Sequence, residues 1–172
     1  VWVLGQKETP PFWTGLKFFN VFGPNEYHKG RMASMVMHGT TQILANNSIK
    51  LFKSHRPDYQ DGEQLRDFIY VKDLLDVLIF LYRSKPHNAI YNLGTGKARS
   101  WNDLANAIFS SLNKPSVIEY IDIPQDIRNT YQYYTEADMQ KLVNTGYKKP
   151  FTSLEEAVND YIQTYLIHRH YY

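Results

Sequence analysis

Apolar and polar positions alternate in two ways along this chain. Short runs rich in Phe, Val, Ile and Leu are interrupted by polar turns, and such runs predict buried β-strands. They occur at residues 15–24, 50–53, 66–71, 88–93 and 117–121. Strands that alternate with helical segments indicate an α/β fold with at least some parallel pairing. No internal repeat or long polar linker divides the sequence into independent domains.

Apolar residues at helical spacing predict the helices. The helical segments are 31–46, 73–83, 101–112, 135–142 and 153–166. In the first of them, Met32, Val36 and Ile43 share an apolar face. Arg31 and His38 lie two turns apart on another line of the same helix, so we expect them to project in the same direction.

Polar residues mark several element boundaries. Ser100 and Ser153 are suitable helix N-caps. Asp103 and Glu156 follow them three residues later, which predicts a capping box at each helix. Asp73 is expected to help the second helix begin.

The GTGKAR run at 94–99 contains part of a dinucleotide-binding fingerprint but lacks its third glycine. A tight strand-to-helix turn is therefore favoured over a phosphate-binding loop. Asp67 and Asp73 flank a strand-to-helix junction, where a solvated pair or a helix cap is favoured over general acid–base catalysis.

Composition limits the possible functions without choosing one. The 172 residues suffice for a domain with a real core, and 43% apolar with 21% charged residues is typical of globular proteins. A net charge of +2 gives no reason to expect a nucleic-acid or membrane partner, and no apolar run approaches the roughly 20 residues that span a bilayer. These features are compatible with a cytoplasmic protein. Because the sequence begins with Val, we expect a fragment or a processed product.

Metal binding is not expected. The sequence has no cysteine, and His28 and His38 lack a carboxylate pair alongside them. The other candidates, His168 and His170, lie in a tail that we expect to fray.

The segment FNVFGPNEYHKGRMASMVMH at 19–38 is the densest in candidate chemistry. A strand ends, a Gly-Pro turn follows, and a polar loop delivers Lys29 before a helix. Ligands of open α/β sheets bind beyond the carboxyl ends of strands, which favours Asn20 and Lys29 as site residues. The alternative is a surface loop with solvated charges, and spacing alone leaves both interpretations open.

The run GLKFFNVFGPNEYHKGRMASMV at 15–36 resembles the ADP-glyceromanno-heptose 6-epimerases, which belong to the extended short-chain dehydrogenase/reductase group. FFNVFGP is similar to the R-x-x-N-x-Y-G-P region of the whole group, and EYHKGRMAS is more specific to the heptose epimerases. The resemblance continues in order through residues 51–77, 90–105, 118–139 and 146–158.

This resemblance implies the carboxy-terminal part of a Rossmann-type extended short-chain dehydrogenase fold with its smaller substrate-binding domain. Residues 1–30 would be a remnant and the last part of the cofactor domain. Residues 31–172 would be mainly the substrate-binding domain, with returning Rossmann elements around 66–110. The sequence contains neither G-x-x-G-x-x-G nor Y-x-x-x-K, so we expect this chain alone to lack most of the cofactor site and one acid/base group. Half of such a sheet would expose apolar strand edges and be poorly soluble.

The implied activity is epimerisation of ADP-glycero-manno-heptose at C6, from the D-glycero to the L-glycero form, for the inner core of lipopolysaccharide. In the family, tightly held NADP takes a hydride from C6 and returns it to the opposite face of a 6-keto intermediate. The C6 oxygen then needs a proton acceptor and donor, and the resemblance assigns that role to Lys29. We expect desolvation and the positive charges of Arg31 and His28 to help this lysine lose its proton.

The resemblance also assigns binding residues by position. Val21 and Lys29 would contact the cofactor. The substrate would contact Asn20, Arg31, His38, Phe52, Lys53, Ser54, His55, Arg66 and Tyr131. A planar, permanently charged guanidinium suits the diphosphate, which is the role implied for Arg66. The family also suggests a homo-oligomer. Two alternatives remain: a non-catalytic fragment that binds sugar nucleotides, and another nucleotide-sugar epimerase or dehydratase.

Overall fold

The strands are short and pair mostly in parallel. In the computed structural model, which describes residues 5–172, they are β1 (Thr14–Phe18), β2 (Asn20–Phe22), β3 (Ile49–Phe52), β4 (Leu65–Tyr70), β5 (Ala89–Leu93), β6 (Ala98–Ser100) and β7 (Ile118–Ile121). β1 pairs with β5, β2 with β4, and β3 with β7, all in parallel, while β6 runs antiparallel to β4. This pairing confirms the predicted α/β class, because parallel neighbours need a crossover segment between them.

Helices supply most of these crossovers. They are α1 (Met35–Asn46), α2 (Val71–Ser84), α3 (Trp101–Ser111), α4 (Gln125–Arg128), α5 (Gln140–Val143) and α6 (Leu154–Asp160). A 3₁₀ turn over Tyr27–Met32 precedes α1, and a π-helical turn over Tyr161–Leu166 continues α6. Both predicted capping boxes are present, at the starts of α3 and α6. No helix within residues 5–172 is long and apolar enough to cross a membrane.

The predicted strand over 15–24 is in fact two strands with different partners. β1 lies beside β5, and at Phe19, whose N–H donates to the carbonyl of Leu93 at 3.1 Å, the chain shifts across to β4. Gly23 then ends β2 with a φ of 144°, and a Cβ there would lie 2.4 Å from the Val71 side chain. Only glycine fits this close, left-handed turn.

Helix α1 begins at Met35, four residues after its predicted start. Gly30, with φ 51° and ψ −122°, breaks the preceding 3₁₀ turn, and Ser34 caps α1 by accepting from the Met37 N–H. Arg31 therefore does not share a helical line with His38. The predicted apolar face is also wrong at Met32, which is 84% exposed, although Val36 and Ile43 are buried as expected.

The predicted helix over 135–142 forms only at its end, as α5. The Leu65 N–H donates to the carbonyl of Tyr133 at 2.8 Å, and the Thr135 N–H donates to the carbonyl of Leu65 at 3.1 Å. Residues 133–135 therefore run alongside β4. Their backbone groups are used there and are not free to close helical turns.

Two apolar clusters hold the layers together. The larger joins β2, β3 and β4 to α1, α3 and α6, and the smaller joins β5 to α2. The tail that was expected to fray instead contacts the segment before α1: the Tyr27 hydroxyl donates to the carbonyls of Tyr165 and His170, and the Tyr172 N–H donates to the Asn25 side chain.

Candidate functional site

A cavity of about 430 Å³ lies against β2. Asn20 and Val21 form one wall, and Phe68 of β4 forms another. The start of α3 closes the cavity with Trp101, and residues 32–36 before and within α1 lie opposite. Strand pairing therefore brings together segments that are far apart in the sequence, and two of the predicted site residues, Asn20 and Val21, border a real cavity.

Arg66 is buried, with 6% of the residue exposed, and its guanidinium lies near Trp101, which lines this cavity. Its guanidinium donates to the carbonyls of Leu65 and Gln132, and it lies 5.2 Å from the Tyr131 ring and 5.8 Å from the Trp101 ring. Burial lowers the pKa of the Arg66 guanidinium. Burial also raises the pKa of Tyr131, so that hydroxyl stays neutral and supplies no counter-charge.

No carboxylate within residues 5–172 forms an ion pair with Arg66. A buried charge is costly unless an opposite charge or hydrogen bonds compensate it. The carbonyl oxygens compensate Arg66 only in part. The arrangement is therefore suited to bind an anionic group from outside the chain.

Arg66 and the aromatic side chains that extend from it form a group that we call the Arg66 cluster. Its members are Phe52, Arg66, Trp101 and Tyr131. The Phe52 and Tyr131 rings meet nearly at right angles, with centroids 5.9 Å apart. Trp101 packs edge-to-face on Phe68, with centroids 5.1 Å apart, and so connects the cluster to the cavity at β2. Sequence reasoning missed Trp101, although a Trp at the first position of a well-capped helix was visible.

The loop after β3 is held next to this cluster. The His55 N–H donates to the hydroxyl of Tyr133 at 2.9 Å, and the Ser54 N–H donates to Asp61 at 2.7 Å. Lys53 lies at the exposed rim, 3.9 Å from Asp122. Hydrogen bonds thus fix the loop that carries Lys53, Ser54 and His55, and their contact with a nucleotide stays a prediction.

Gln64 stabilises the start of the same loop by hydrogen bonds. It is fully buried, and its side-chain amide donates to the carbonyls of Phe52 and Lys53. Nothing in the local sequence distinguishes Gln64 from the other polar residues of its loop, so only the folded chain could identify it.

The predicted residues around Lys29 do not converge in the same way. Lys29 has 42% of its side chain exposed, and its Nζ lies 3.8 Å from the carboxylate of Glu26. His28 and Arg31 are exposed, whereas His38 is half-buried on α1. Among the described residues, the ion-pair partner of Lys29 is therefore a carboxylate, and the expected effect of Arg31 and His28 on its proton stays a prediction. Among the described residues, the β2 cavity is not lined by Lys29, Arg31 or His38.

The Gly94–Gly96 turn is tight, as predicted, but it joins strand β5 to strand β6 and not a strand to a helix. Its amides at Thr95 and Gly96 donate to the carboxylate of Asp67 at 2.7 and 2.9 Å, and the Ala137 N–H donates to it at 3.0 Å. Asp67 already occupies the place where a phosphate would sit. A Cβ added at Gly94 would lie 2.5 Å from the same carboxylate. We call this arrangement the Asp67 cradle.

The expectation that Asp67 and Asp73 form a solvated pair or a helix cap is wrong. Asp67 is fully buried in its cradle. Asp73 is also buried, in the first turn of α2, where its carboxylate accepts from the N–H and hydroxyl of Thr152, each at 2.9 Å. Both carboxylates act in the structure as long-range ties between chain segments.

Comparison with known proteins places this chain in a family. The model of the NAD dependent epimerase/dehydratase family matches residues 6–94. The chain belongs to this family. A relative from Fusobacterium nucleatum, named ADP-L-glycero-D-manno-heptose-6-epimerase, is 51% identical over 171 residues, or 96% of this chain and 52% of the relative. A relative of the same name from Nitratidesulfovibrio vulgaris is 50% identical over 88% of this chain and 47% of its own length.

Solved structures of proteins named as epimerases share the architecture. The Helicobacter pylori ADP-L-glycero-D-manno-heptose-6-epimerase has a TM-score of 0.73 and 29% identity, covering 89% of this chain and 44% of its own. A UDP-N-acetylglucosamine 4-epimerase from Methanobrevibacter ruminantium has a TM-score of 0.74 and 26% identity, covering 92% and 47%. The predicted fold, part of a Rossmann-type extended short-chain dehydrogenase, is thereby confirmed. The chain spans about half the length of the family members that it matches.

Proposed function

We propose that the natural protein carrying this chain epimerises ADP-glycero-manno-heptose at C6, from the D-glycero to the L-glycero form, for lipopolysaccharide inner-core biosynthesis. The observation that carries the proposal is the 51% identity, over 96% of this chain, to a relative with that name. The Arg66 cluster supports it because a nucleotide sugar has both a diphosphate and a flat base. In this proposal the chain is part of an isomerase.

Arg66 would bind the diphosphate. Its buried guanidinium presents several N–H donors in one plane, and phosphate oxygens can accept them in pairs. Tyr131 would close the far side of the pocket, and Phe52, Lys53, Ser54 and His55 would border the nucleotide. Edge-to-face packing of Phe52 on Tyr131 gives that border an apolar ring surface for stacking.

The cavity at β2 would take the sugar end. Its volume of about 430 Å³ falls within the ordinary range for small-molecule pockets. Asn20 has an amide that both donates and accepts, which suits sugar hydroxyls. We assign Arg31 and His38 to the sugar by position alone.

A bound nicotinamide cofactor, NADP in our proposal, would supply the hydride chemistry. The residues of this chain fit one side of such a group, because Val21 offers a half-buried apolar surface next to Asn20 at the cavity. The Gly94–Gly96 turn does not fit the pyrophosphate, since Asp67 already accepts its amides. We also assign Lys29 to the cofactor contact.

Lys29 would hold and transfer a proton at Nζ. Removal of a hydride from an alcohol carbon requires a group that accepts the hydroxyl proton and later returns it. The flexible four-carbon stem gives Lys29 reach from the 3₁₀ turn, and 42% of its side chain is exposed, with its Nζ 3.8 Å from the Glu26 carboxylate.

The remaining parts of the proposal concern organisation. Residues 1–30 would complete a Rossmann cofactor domain, and 31–172 would form mainly the substrate-binding domain, with Rossmann elements around 66–110. Residues 1–4 of that range lie outside the described residues. The protein would act in the cytoplasm as a homo-oligomer, with ADP-heptose as its substrate and no nucleic-acid or membrane partner.

The test is product analysis. The natural protein, expressed from its complete gene, is incubated with ADP-D-glycero-β-D-manno-heptose, and the configuration at C6 is followed by NMR. We expect conversion to the L-glycero epimer. Binding without conversion would favour the non-catalytic sugar-nucleotide module. Conversion of a UDP- or GDP-sugar in a parallel panel, but not of ADP-heptose, would favour a different epimerase or dehydratase of the family.

A further inference from the structure

Glu26 is a buried carboxylate in the segment that carries Lys29. Only 2% of the residue is exposed. Its carboxylate accepts from the Ser34 N–H at 2.9 Å, from the Ser34 hydroxyl at 2.5 Å, and from the Tyr161 hydroxyl at 2.9 Å. Neither the resemblance nor the motif spacing assigned a role to Glu26. Burying a carboxylate is costly, so its hydrogen bonds must be formed together for the fold to tolerate it.

These bonds close the 3₁₀ turn around Lys29. The Lys29 N–H donates to the backbone carbonyl of Glu26 at 2.9 Å, and the Lys29 Nζ lies 3.8 Å from the Glu26 carboxylate. On the other side, the Ala33 N–H donates to the carbonyl of Gly30, and Ser34 returns to Glu26. Glu26 therefore contacts both the backbone and the side chain of Lys29.

Tyr161 fixes Glu26 from the other end of the chain. It is fully buried in the larger apolar cluster, at the start of the π-helical turn that continues α6. Burial, and then the negative charge of Glu26, raise the pKa of Tyr161, so its hydroxyl keeps the proton that it donates. The Tyr27 hydroxyl adds a parallel tie to the carbonyls of Tyr165 and His170.

We propose that Glu26 is a positioning residue for Lys29, and that Tyr161 sets the place of Glu26. The proposal rests on the proposed function in that Lys29 transfers the proton. A long lysine side chain samples many positions, and proton transfer needs its Nζ within hydrogen-bond reach of the substrate oxygen. The carboxyl-terminal helix thus controls the geometry of a turn that lies far away in sequence.

The experiment compares two tyrosine variants of the natural protein. Tyr161→Phe removes the hydroxyl that donates to Glu26. Tyr91→Phe is the matched control, because Tyr91 is equally buried and its hydroxyl donates to the carbonyl of His87 at 2.8 Å, in the other apolar cluster. Each variant loses one hydroxyl donor from a buried tyrosine, but only Tyr161→Phe changes the contacts of Glu26.

Two quantities are measured. The first is the pair of kinetic constants kcat and KM for epimerisation. The second is the rate at which Lys29 is reductively methylated, measured by mass spectrometry with Lys148 as the internal reference. We expect Tyr161→Phe to lower kcat by on the order of ten- to a hundredfold with little change in KM. The Lys29 methylation rate should rise severalfold. Tyr91→Phe should leave both readouts at the values of the unmodified protein.

Unchanged kcat and unchanged Lys29 methylation in Tyr161→Phe would overturn the positioning role. If Tyr161→Phe does not fold, Glu26→Asp is used, since it retains the charge but shortens the side chain. The same fall in kcat and rise in methylation are expected, and their absence overturns the proposal. If the unmodified protein does not epimerise ADP-heptose but the methylation rate still changes as stated, the tie between Tyr161 and Lys29 stands and the proposed function fails.

Discussion

Arg66 and Asp67 are neighbours on β4, and their side chains leave opposite faces of the strand. Both are buried and of opposite charge. Three backbone amides and the Thr95 hydroxyl donate to Asp67, so hydrogen bonds within the chain compensate its negative charge. Arg66 meets only carbonyls and aromatic rings among the described residues. The Asp67 cradle is therefore structural, whereas the chain compensates the charge of Arg66 only in part.

The largest expected effect is on the Asp67 cradle. In Asp67→Asn, an amide nitrogen replaces one carboxylate oxygen, and each oxygen accepts from two donors. Donors would then face donors, at a cost of about 3–5 kcal/mol in the free energy of unfolding. Denaturant unfolding of the natural protein measures it. Asp126→Asn, at an exposed acid on α4, is the control, and an equally small effect of both would show that the cradle is not structural.

Arg66→Met should give the opposite pattern. Loss of the guanidinium should weaken ADP binding by about 2–3 kcal/mol, or roughly 30- to 150-fold in Kd. The free energy of unfolding should not fall, because an uncompensated buried charge is removed. Calorimetric titration with ADP and with adenosine separates the diphosphate from the base, since adenosine binding should not change. Arg83→Met, on the exposed end of α2, is the control. Equal weakening for both ligands would contradict a diphosphate role.

Local sequence patterns predicted the helix caps and most of the strands. The capping boxes at Ser100 and Ser153, and strands β3, β4, β5 and β7, were confirmed because short-range hydrogen bonding and apolar patterning decide them. β6 was missed because three residues carry too little pattern. Thr135 was misassigned because its backbone bonds to Leu65, 70 residues away, a pairing that helical propensity cannot reveal.

The site was predictable only through resemblance. Spacing alone could not associate Phe52, Arg66 and Tyr131, because turns and crossovers of unpredictable geometry separate them. The resemblance named all three, and the structure places both Phe52 and Arg66 next to the Tyr131 ring. It did not name Trp101, which lies beside Arg66, or Glu26, which accepts from Tyr161. Both contacts depend on the packing of distant segments. The roles of all the site residues that the resemblance named, Lys29 and Arg66 included, stay predictions.

A smaller effect should show that the Asp67 cradle is full. In Gly94→Ala, the new Cβ would lie 2.5 Å from the Asp67 carboxylate and 2.7 Å from the Ala137 side chain. Amide donors hold that carboxylate, so overpacking should cost about 1–3 kcal/mol of unfolding free energy. Gly5→Ala, with nothing within 4 Å of its added Cβ, is the control in thermal unfolding. A Gly94→Ala melting temperature equal to that of the control would mean that the cradle can open.

The smallest effect concerns the buried hydroxyl of Tyr147, which has no hydrogen-bond partner among the described residues. Burial, and then the charges of Asp76 and Asp73, raise the pKa of Tyr147 to about 12. Tyr147→Phe should therefore raise the free energy of unfolding by about 1 kcal/mol at neutral pH. Tyr91→Phe, which loses a formed hydrogen bond, should lower it by a similar amount.

The pH dependence of Tyr147→Phe provides a second measurement. The folded-state pKa exceeds the unfolded value of 10.0, so between pH 10 and about 12 the unfolded chain releases this proton first. The free energy of unfolding is therefore unaffected by this titration below pH 10, and it falls as the pH rises through that interval. The free energy of unfolding, measured with denaturant across this interval, should fall less steeply for Tyr147→Phe than for the unmodified protein. Parallel curves, together with a destabilised variant, would mean that the Tyr147 hydroxyl has a partner in solution. An uncompensated group would then not by itself indicate a ligand site, and the case for Arg66 would depend on its charge and on the cavity beside it.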